Sequence, residues 1–319
     1  MASSPTYAAS RFQIWFAFLC VYTFWGATYT AVSVGVQLVP AFLLAGVRML
    51  IGSSLLLLYC RIRGYQMLWD RRTMVRVALV GVMLLCGGNV GLVWAERYLP
   101  SGFAALVLAV IPLYVALGEA LLPNGERLQI RGIIGILIGF AGLGVLVWPR
   151  IRHGLRGERM EIIAIAVLLL GAVSWAGGSI LARHSKFPMH PLVAAAWEMA
   201  AAATVNLTLG TLAGQWRHAI WNLQSWGAIG YLILFGSLGG FTAYVWLIAH
   251  VPVAKVATYA YVNPIVAVLL GALVLHERLE GPEYIGMVVV LVAVALVTSS
   301  QTSAGKRAAE AQERAPVEA

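Results

Sequence analysis

Arg48 and Glu198 most need a chemical reason for their placement, because each lies inside a long apolar run. A lone charge at the centre of a membrane span costs about 3 kcal/mol on insertion scales, and it normally faces a cavity or a partner. Each sits about seven residues into its run, roughly 10 Å deep at 1.5 Å per residue, but counted from opposite membrane faces. An arginine there suits a substrate carboxylate, and a glutamate suits a coupling proton. The alternative is structural: the two side chains snorkel to the interface or pair with one another.

Trp25 and Trp175 fall in mid-run, where an interfacial anchor has no place, so both are read as the lining of a solute pocket. Tyr22, Thr28 and Tyr29 share adjoining turns with Trp25, while Ser174 and Ser179 accompany Trp175. Asn89, Thr242, Tyr244 and Trp246 add polar and aromatic groups on neighbouring runs. Lys255, Tyr259 and Asn263 are spaced i, i+4, i+8 and make one polar helix face; Phe103, Val107 and Ile111 are its apolar counterpart in the first half. That pairing of polar and apolar walls suits an amphipathic solute. Tyr259 and Asn263 serve equally well as interhelical hydrogen-bonding residues. Pro112 and Pro264 each remove a backbone donor and free a carbonyl, at Leu108 and Ala260. Breaks at such places point to a transporter site, and a packing kink is the plainer alternative.

The expected solute-binding set is therefore Trp25, Tyr29, Asn89, Trp175, Ser179, Tyr244, Tyr259 and Asn263. Arg48 and Glu198 are the charge or coupling residues, and Pro112 and Pro264 the helix breaks. Glu96, Glu119 and the His276-Glu277 pair, near run ends where water reaches, are lesser candidates for proton coupling.

The elements that hold these residues are apolar spans. The 319-residue chain is 61% hydrophobic and 11% charged, far more apolar than a soluble domain at about 45–50%. Runs of the roughly 20 residues needed to cross a bilayer occur at 12–32, 41–59, 75–95, 101–119, 130–148, 162–182, 192–213, 226–249, 253–275 and 283–300. The first is too long for a signal-peptide core and is read as an uncleaved helix. With residues 1–11 in the cytoplasm, the 22 basic residues divide fourteen inside, seven outside and Arg48 within the bilayer, which favours both termini inside. Arg150, Arg152, Arg156 and Arg159 crowd the outer link at 149–161 and break that rule without an evident reason. Residues 301–319 are small and polar and read as a disordered cytoplasmic tail. The net charge of +9 is spread between spans and does not form a nucleic-acid patch.

A repeat of about 150 residues runs through the spans. Trp25 matches Trp175, Pro40 Pro191, Trp94 Trp246, Pro100 Pro252 and Pro112 Pro264. Glu126-Arg127-Leu128 matches Glu277-Arg278-Leu279, and Gly135 matches Gly286. Five spans is an odd number, so the second half (162–300) enters the membrane from the side opposite to the first (12–148). The expected fold class is all-α integral membrane, ten transmembrane helices as two inverted five-helix repeats, an architecture of secondary transporters with the site near the midplane. Gly135 and Gly139 form a GxxxG for close helix packing.

Enzymatic chemistry has nothing to stand on. No GxxxxGK[ST] loop or GxSxG elbow is present, and His276-Glu277 is followed by Glu280 where HExxH needs a second histidine. Cys20, Cys60 and Cys86 have no metal-ligand spacing, so neither metal nor cofactor is expected. The partners are the lipid bilayer and a small-molecule substrate, with protons as the coupling ion.

These landmarks resemble the EamA branch of the drug/metabolite transporter superfamily over about residues 12–300. The resemblance rests on Trp25-Gly26-Ala27-Thr28-Tyr29, Pro40 to Arg48, Trp175, the paired Pro112 and Pro264, Ala260-Tyr261-Val262-Asn263-Pro264 and His276-Glu277-Arg278-Leu279. Arg48 and Glu198 are similar to residues at these places in an inner-membrane subgroup. The chain departs from the family at Leu122-Pro123-Asn124-Gly125, where Pro123 ends the fourth helix early. The resemblance implies both termini in the cytoplasm, a central cavity lined by both halves, and ion-driven export of amino acids or other small organic solutes from a bacterial cytoplasm. A membrane sensor or scaffold, binding such a solute without moving it, stays open.

Overall fold

The computed structural model describes residues 10–67, 70–123, 129–185, 187–251, 256 and 258–313. Among them there are helices and no strands. In chain order the spanning helices are α1 (Arg11–Val36), α2 (Ala41–Ile62), α3 (Arg71–Ala95), α4 (Ser101–Leu121), α5 (Ile130–Leu155), α6 (Arg159–Ser185), α7 (Pro191–Leu212), α8 (Leu223–Tyr244 and on to His250), α9 (Tyr259–Val274) and α10 (Gly281–Glu313). Nine of these are long and apolar enough to cross a bilayer, and α9 is a shorter apolar helix. We call the face at which α1 begins the near face and the opposite one the far face. Lys255, Pro252, Arg127, Lys186 and the Glu126-Arg127-Leu128 landmark lie outside the described residues.

The helices start where the chain offers caps. Ser10 Oγ accepts from Gln13 N at 3.2 Å while Gln13 Oε1 accepts from Ser10 N at 2.9 Å, a reciprocal capping box. Asp70 caps α3 by accepting from Thr73 N at 2.9 Å, and these backbone and side-chain hydrogen bonds hold its carboxyl below the usual carboxylate range. Pro40, Pro100 and Pro191 stand at the entries of α2, α4 and α7, where a missing N–H costs nothing.

Packing between the repeats obeys a two-fold exchange of helix i with helix i+5. α2 lies on α7, α5 on α10 and α4 on α9. The contact of α1 with α9 has its mate in α6 with α4, that of α3 with α6 in α8 with α1, and that of α3 with α7 in α8 with α2. The Gly135/Gly139 stripe packs inside the fold, against Ala293 and Val297 of α10 and Leu113 of α4. Large apolar side chains such as Trp15, Leu137, Leu170 and Leu223 remain exposed on the outside of the bundle, the surface a bilayer solvates.

Several boundaries differ from the sequence expectation. α5 runs through Pro149 to Leu155 and α6 begins at Arg159, so most of the 149–161 link is helical. Arg150 anchors it, with Nε 2.8 Å from Glu283 Oε1 and Nη1 3.4 Å from Glu161 Oε1. One of the four basic residues that defy the charge rule is thus neutralised by two buried acids. α10 continues past 300 to Glu313 because its Ala, Lys, Gln and Glu residues are strong helix formers. α4 ends at Leu121, with Leu122 extended ahead of Pro123.

Candidate functional site: a cavity between the repeats

The two prolines behave differently. In α4 the helix stops at Leu108 and restarts at Ile111, with Pro112 in the first turn of the second piece. There Val110 N reaches Val107 O at 3.4 Å and Leu113 N reaches Val110 O at 2.9 Å, both three-residue closures. The expected break at Pro264 is not found: α9 passes through it as one helix. Its ring removes the bond to Ala260, but close packing of α1 holds the segment, with Gly26 against Val266 and the Asn263 carbonyl.

Three π-helical stretches, not expected from the sequence, lie in α1 at Val21–Trp25, in α3 at Val82–Gly88 and in α8 at Leu232–Gly239. Such bulges widen a helix by one residue and are common at functional sites. Those in α3 and α8 occupy matching positions of the two repeats, and the paired Gly87-Gly88 and Gly239-Gly240 were the available signal. A Cβ on Gly88 would lie 2.8 Å from Cε3 of Trp175, so only glycine lets that ring lie against α3.

These irregular segments surround a cavity of about 530 Å³, within the usual range for small-molecule sites. The twelve residues of the expected solute-binding, charge and helix-break sets border it. Trp25, Tyr29 and Arg48 come from α1 and α2, Asn89 and Pro112 from α3 and α4, and Trp175, Ser179 and Glu198 from α6 and α7. Tyr244 of α8 and Tyr259, Asn263 and Pro264 of α9 complete the wall.

Trp25, Tyr244 and Tyr259 form a three-ring corner. The indole centroid is 5.2 Å from each tyrosine ring, and the two tyrosines meet edge-on at 5.7 Å. Trp25 Nε1 donates to the Gly236 carbonyl at 3.0 Å, within the π-helical stretch of α8. Such a corner offers faces and edges to an apolar or aromatic solute.

Arg48 and Glu198 do not form an ion pair among the described residues. Arg48 is 8% exposed, and its Nε donates to Ser237 Oγ at 3.3 Å. Glu198 borders the same cavity, and its backbone packs on Gly81. The Oδ1 atoms of Asn89 and Asn263 are buried without a hydrogen-bond partner among the described residues. An unpaired buried carbonyl costs about 1–3 kcal/mol, which a solute donor would recover. Ser179 instead spends its hydroxyl proton on the Trp175 carbonyl, at 2.8 Å.

The apolar counterpart face differs from the expectation: Ile111 borders the cavity, but Phe103 and Val107 are fully buried in the core. The Arg150 guanidinium lies 5.6 Å from the Phe103 ring, a cation–π contact that holds it away. Ala105, Leu108 and Ala109 take the place on the wall. Thr242 is exposed, and Trp246 packs with Ala17 and Phe18. Ser237 and Thr28, which the sequence reading left out of the binding set, both border the cavity.

The family pattern described as EamA-like transporter family matches residues 12–148 and 162–299. The chain belongs to this family. The uncharacterized inner membrane transporter YedA of Escherichia coli (strain K12) is 38% identical over 283 residues, which cover 88% of this chain and 89% of that one. The probable amino-acid metabolite efflux pump of the same organism is 25% identical over 292 residues, covering 86% and 90%. A crystal structure of a protein 23% identical in sequence shares the fold at a TM-score of 0.61, over 91% of this chain and 98% of that chain. As an EamA-like protein the chain is an integral membrane transporter whose two repeats meet at the cavity.

Proposed function

We propose that this EamA-like protein exports small organic metabolites, amino acids or amphipathic aromatic compounds, across a bacterial inner membrane by alternating access coupled to protons, with both termini in the cytoplasm. The observation that carries the reading is the composition of one wall between inverted repeats. It bears a cationic Arg48, an acidic Glu198, two unsatisfied amide carbonyls and a three-ring corner. A solute with a carboxylate, a donor group and an apolar body satisfies all of them at once. A small hydrated ion would leave the aromatic corner unused. The partial name of the efflux-pump relative supports the same solute class.

Flux in proteoliposomes tests it, with amino acids and aromatic organic ions screened with and without a proton gradient. The expected result is accumulation against the solute gradient only when protons flow. Binding without any flux would favour a ligand sensor.

A further inference from the structure

Glu96 follows α3 at the far face. Its side chain is 2% exposed, and neither carboxylate oxygen has a hydrogen-bond partner among the described residues. Glu277, whose charge acts on Glu96, is in the opposite situation. α9 ends with His276 in the left-handed region at φ 56°, and the turn is closed by Glu277 N donating to Gly271 O at 3.0 Å. That reversal throws the Glu277 carboxylate onto the start of α4, where Ser101 N, Ser101 Oγ and Gly102 N donate at 2.8, 2.9 and 3.1 Å. Glycine at position 271 makes room for this carboxylate, since a Cβ there would displace Glu277 Oε2. One repeat thus fastens a helix of the other at its N-terminus, where a negative charge is favoured.

The two carboxyls repel one another. When two acids share a site, the one without donors is the one that holds a proton. Glu277 has three donors and a helix N-terminus; Glu96 has neither. Tyr29 on the cavity wall is the next group electrostatically coupled to Glu96. On the helices packed against the end of α3, the ionisable groups toward the far face are Arg48 of α2, engaged with Ser237, and Arg159 and Glu161 of α6, the latter paired with Arg150; Tyr59, Cys60, Arg61, Arg183 and His184 lie at the near-face ends of the same helices. Arg97 beside Glu96 is exposed. None of these bonds to Glu96.

We infer that Glu96 is a proton-binding site that controls the far face: neutral Glu96 lets Glu277 stay on the N-terminus of α4, and ionised Glu96 drives it off. The inference rests on the transport reading for its purpose, since α4 carries Ala105, Leu108 and the 109–110 break on the cavity wall. Loss of the proton would free the first piece of α4 to swing at that break.

Infrared spectroscopy of the reconstituted full-length protein tests the site without any solute. The wild-type minus Glu96→Gln difference spectrum should contain a protonated-carboxyl stretch at neutral pH that disappears on alkaline titration. Glu277→Gln should keep the band but lose it about one pH unit lower, a tenfold weaker proton affinity. Should Glu96→Gln fail to fold, Glu96→Asp should shift the band. Identical spectra in wild type and the Glu96 variants would overturn the assignment.

Labelling of Leu99→Cys, which is 3% exposed at the far face, by an impermeant thiol reagent tests the consequence. Measured relative to an exposed cysteine at the same pH, which cancels the thiolate's own pH dependence, labelling should rise with pH in the Glu96 background and stay flat in Glu96→Gln; a flat relative rate in the Glu96 background would overturn the latch. A Glu96 titration with no solute flux would retire the transport reading and keep the proton site. Proton-driven flux with no Glu96 titration would do the reverse.

Discussion

Asn263 and Arg48 differ in how much of their hydrogen-bonding capacity the fold uses. Asn263 Oδ1 has no partner among the described residues, so Asn263→Ala should leave thermal stability nearly unchanged and weaken solute binding about tenfold, equivalent to about 1.4 kcal/mol. Competition binding on the purified protein would check both. Tyr259→Ala removes one edge of the three-ring corner and should cost a similar factor for aromatic solutes and less for aliphatic ones. Arg48→Gln should discriminate by charge, with carboxylate-bearing solutes losing affinity more than their neutral amides. If Glu198 carries a coupling proton, Glu198→Gln should flatten the pH dependence of transport. At this scale the sequence was informative because a charge or a mid-span indole in an apolar run has few reasons to exist. It was silent on Ser237, a small hydroxyl whose role depends on Arg48 reaching across from α2. It misplaced Phe103 and Val107, because the Arg150 contact that turns that face into the core comes from another helix.

At the scale of elements, identical prolines at matched positions gave a broken α4 and an unbroken α9. Proline chemistry states which hydrogen bond is lost; the neighbours decide whether the helix parts or bends. Gly26 against Val266 supplies that support to α9. Pro112→Ala restores a backbone donor, and a re-formed α4 should be at least as stable while flux slows, measurable as unchanged melting with a reduced initial rate. The π-helical stretches were not legible as such, since a π bulge has no composition of its own. Their trace was the doubled glycine in each repeat. Gly88→Ala should force Trp175 from its seat and cost about 1–3 kcal/mol by overpacking, read from thermal unfolding in detergent. Where α5 and α6 swallow the link between the repeats, the cause was again remote: Glu283 lies on α10, far in sequence from Arg150.

The whole molecule follows from the repeat. Landmarks about 150 residues apart, with an odd number of spans in each half, predicted opposed halves before any contact was known, and the helix contacts exchange in pairs as that symmetry requires. Family membership over both halves gives the same architecture. The asymmetry is equally informative. Arg48 is matched by Glu198 of opposite charge, α4 is interrupted at 109–110 where α9 is helical, and Glu96 has no acidic mate in the second repeat, where the matching residue is Ile248. A symmetric scaffold lets two states of similar energy exist, and asymmetric chemistry makes a solute and a proton prefer one of them. Such a molecule exposes its cavity to the two sides of the membrane in turn. Ser179→Cys, placed on the cavity wall in a chain whose native cysteines are replaced by alanine, tests it by labelling with an impermeant thiol reagent applied to either side of sealed vesicles. Labelling is expected from both sides, with the balance shifted by solute and by pH; labelling from one side alone under every condition would rule out alternating exposure.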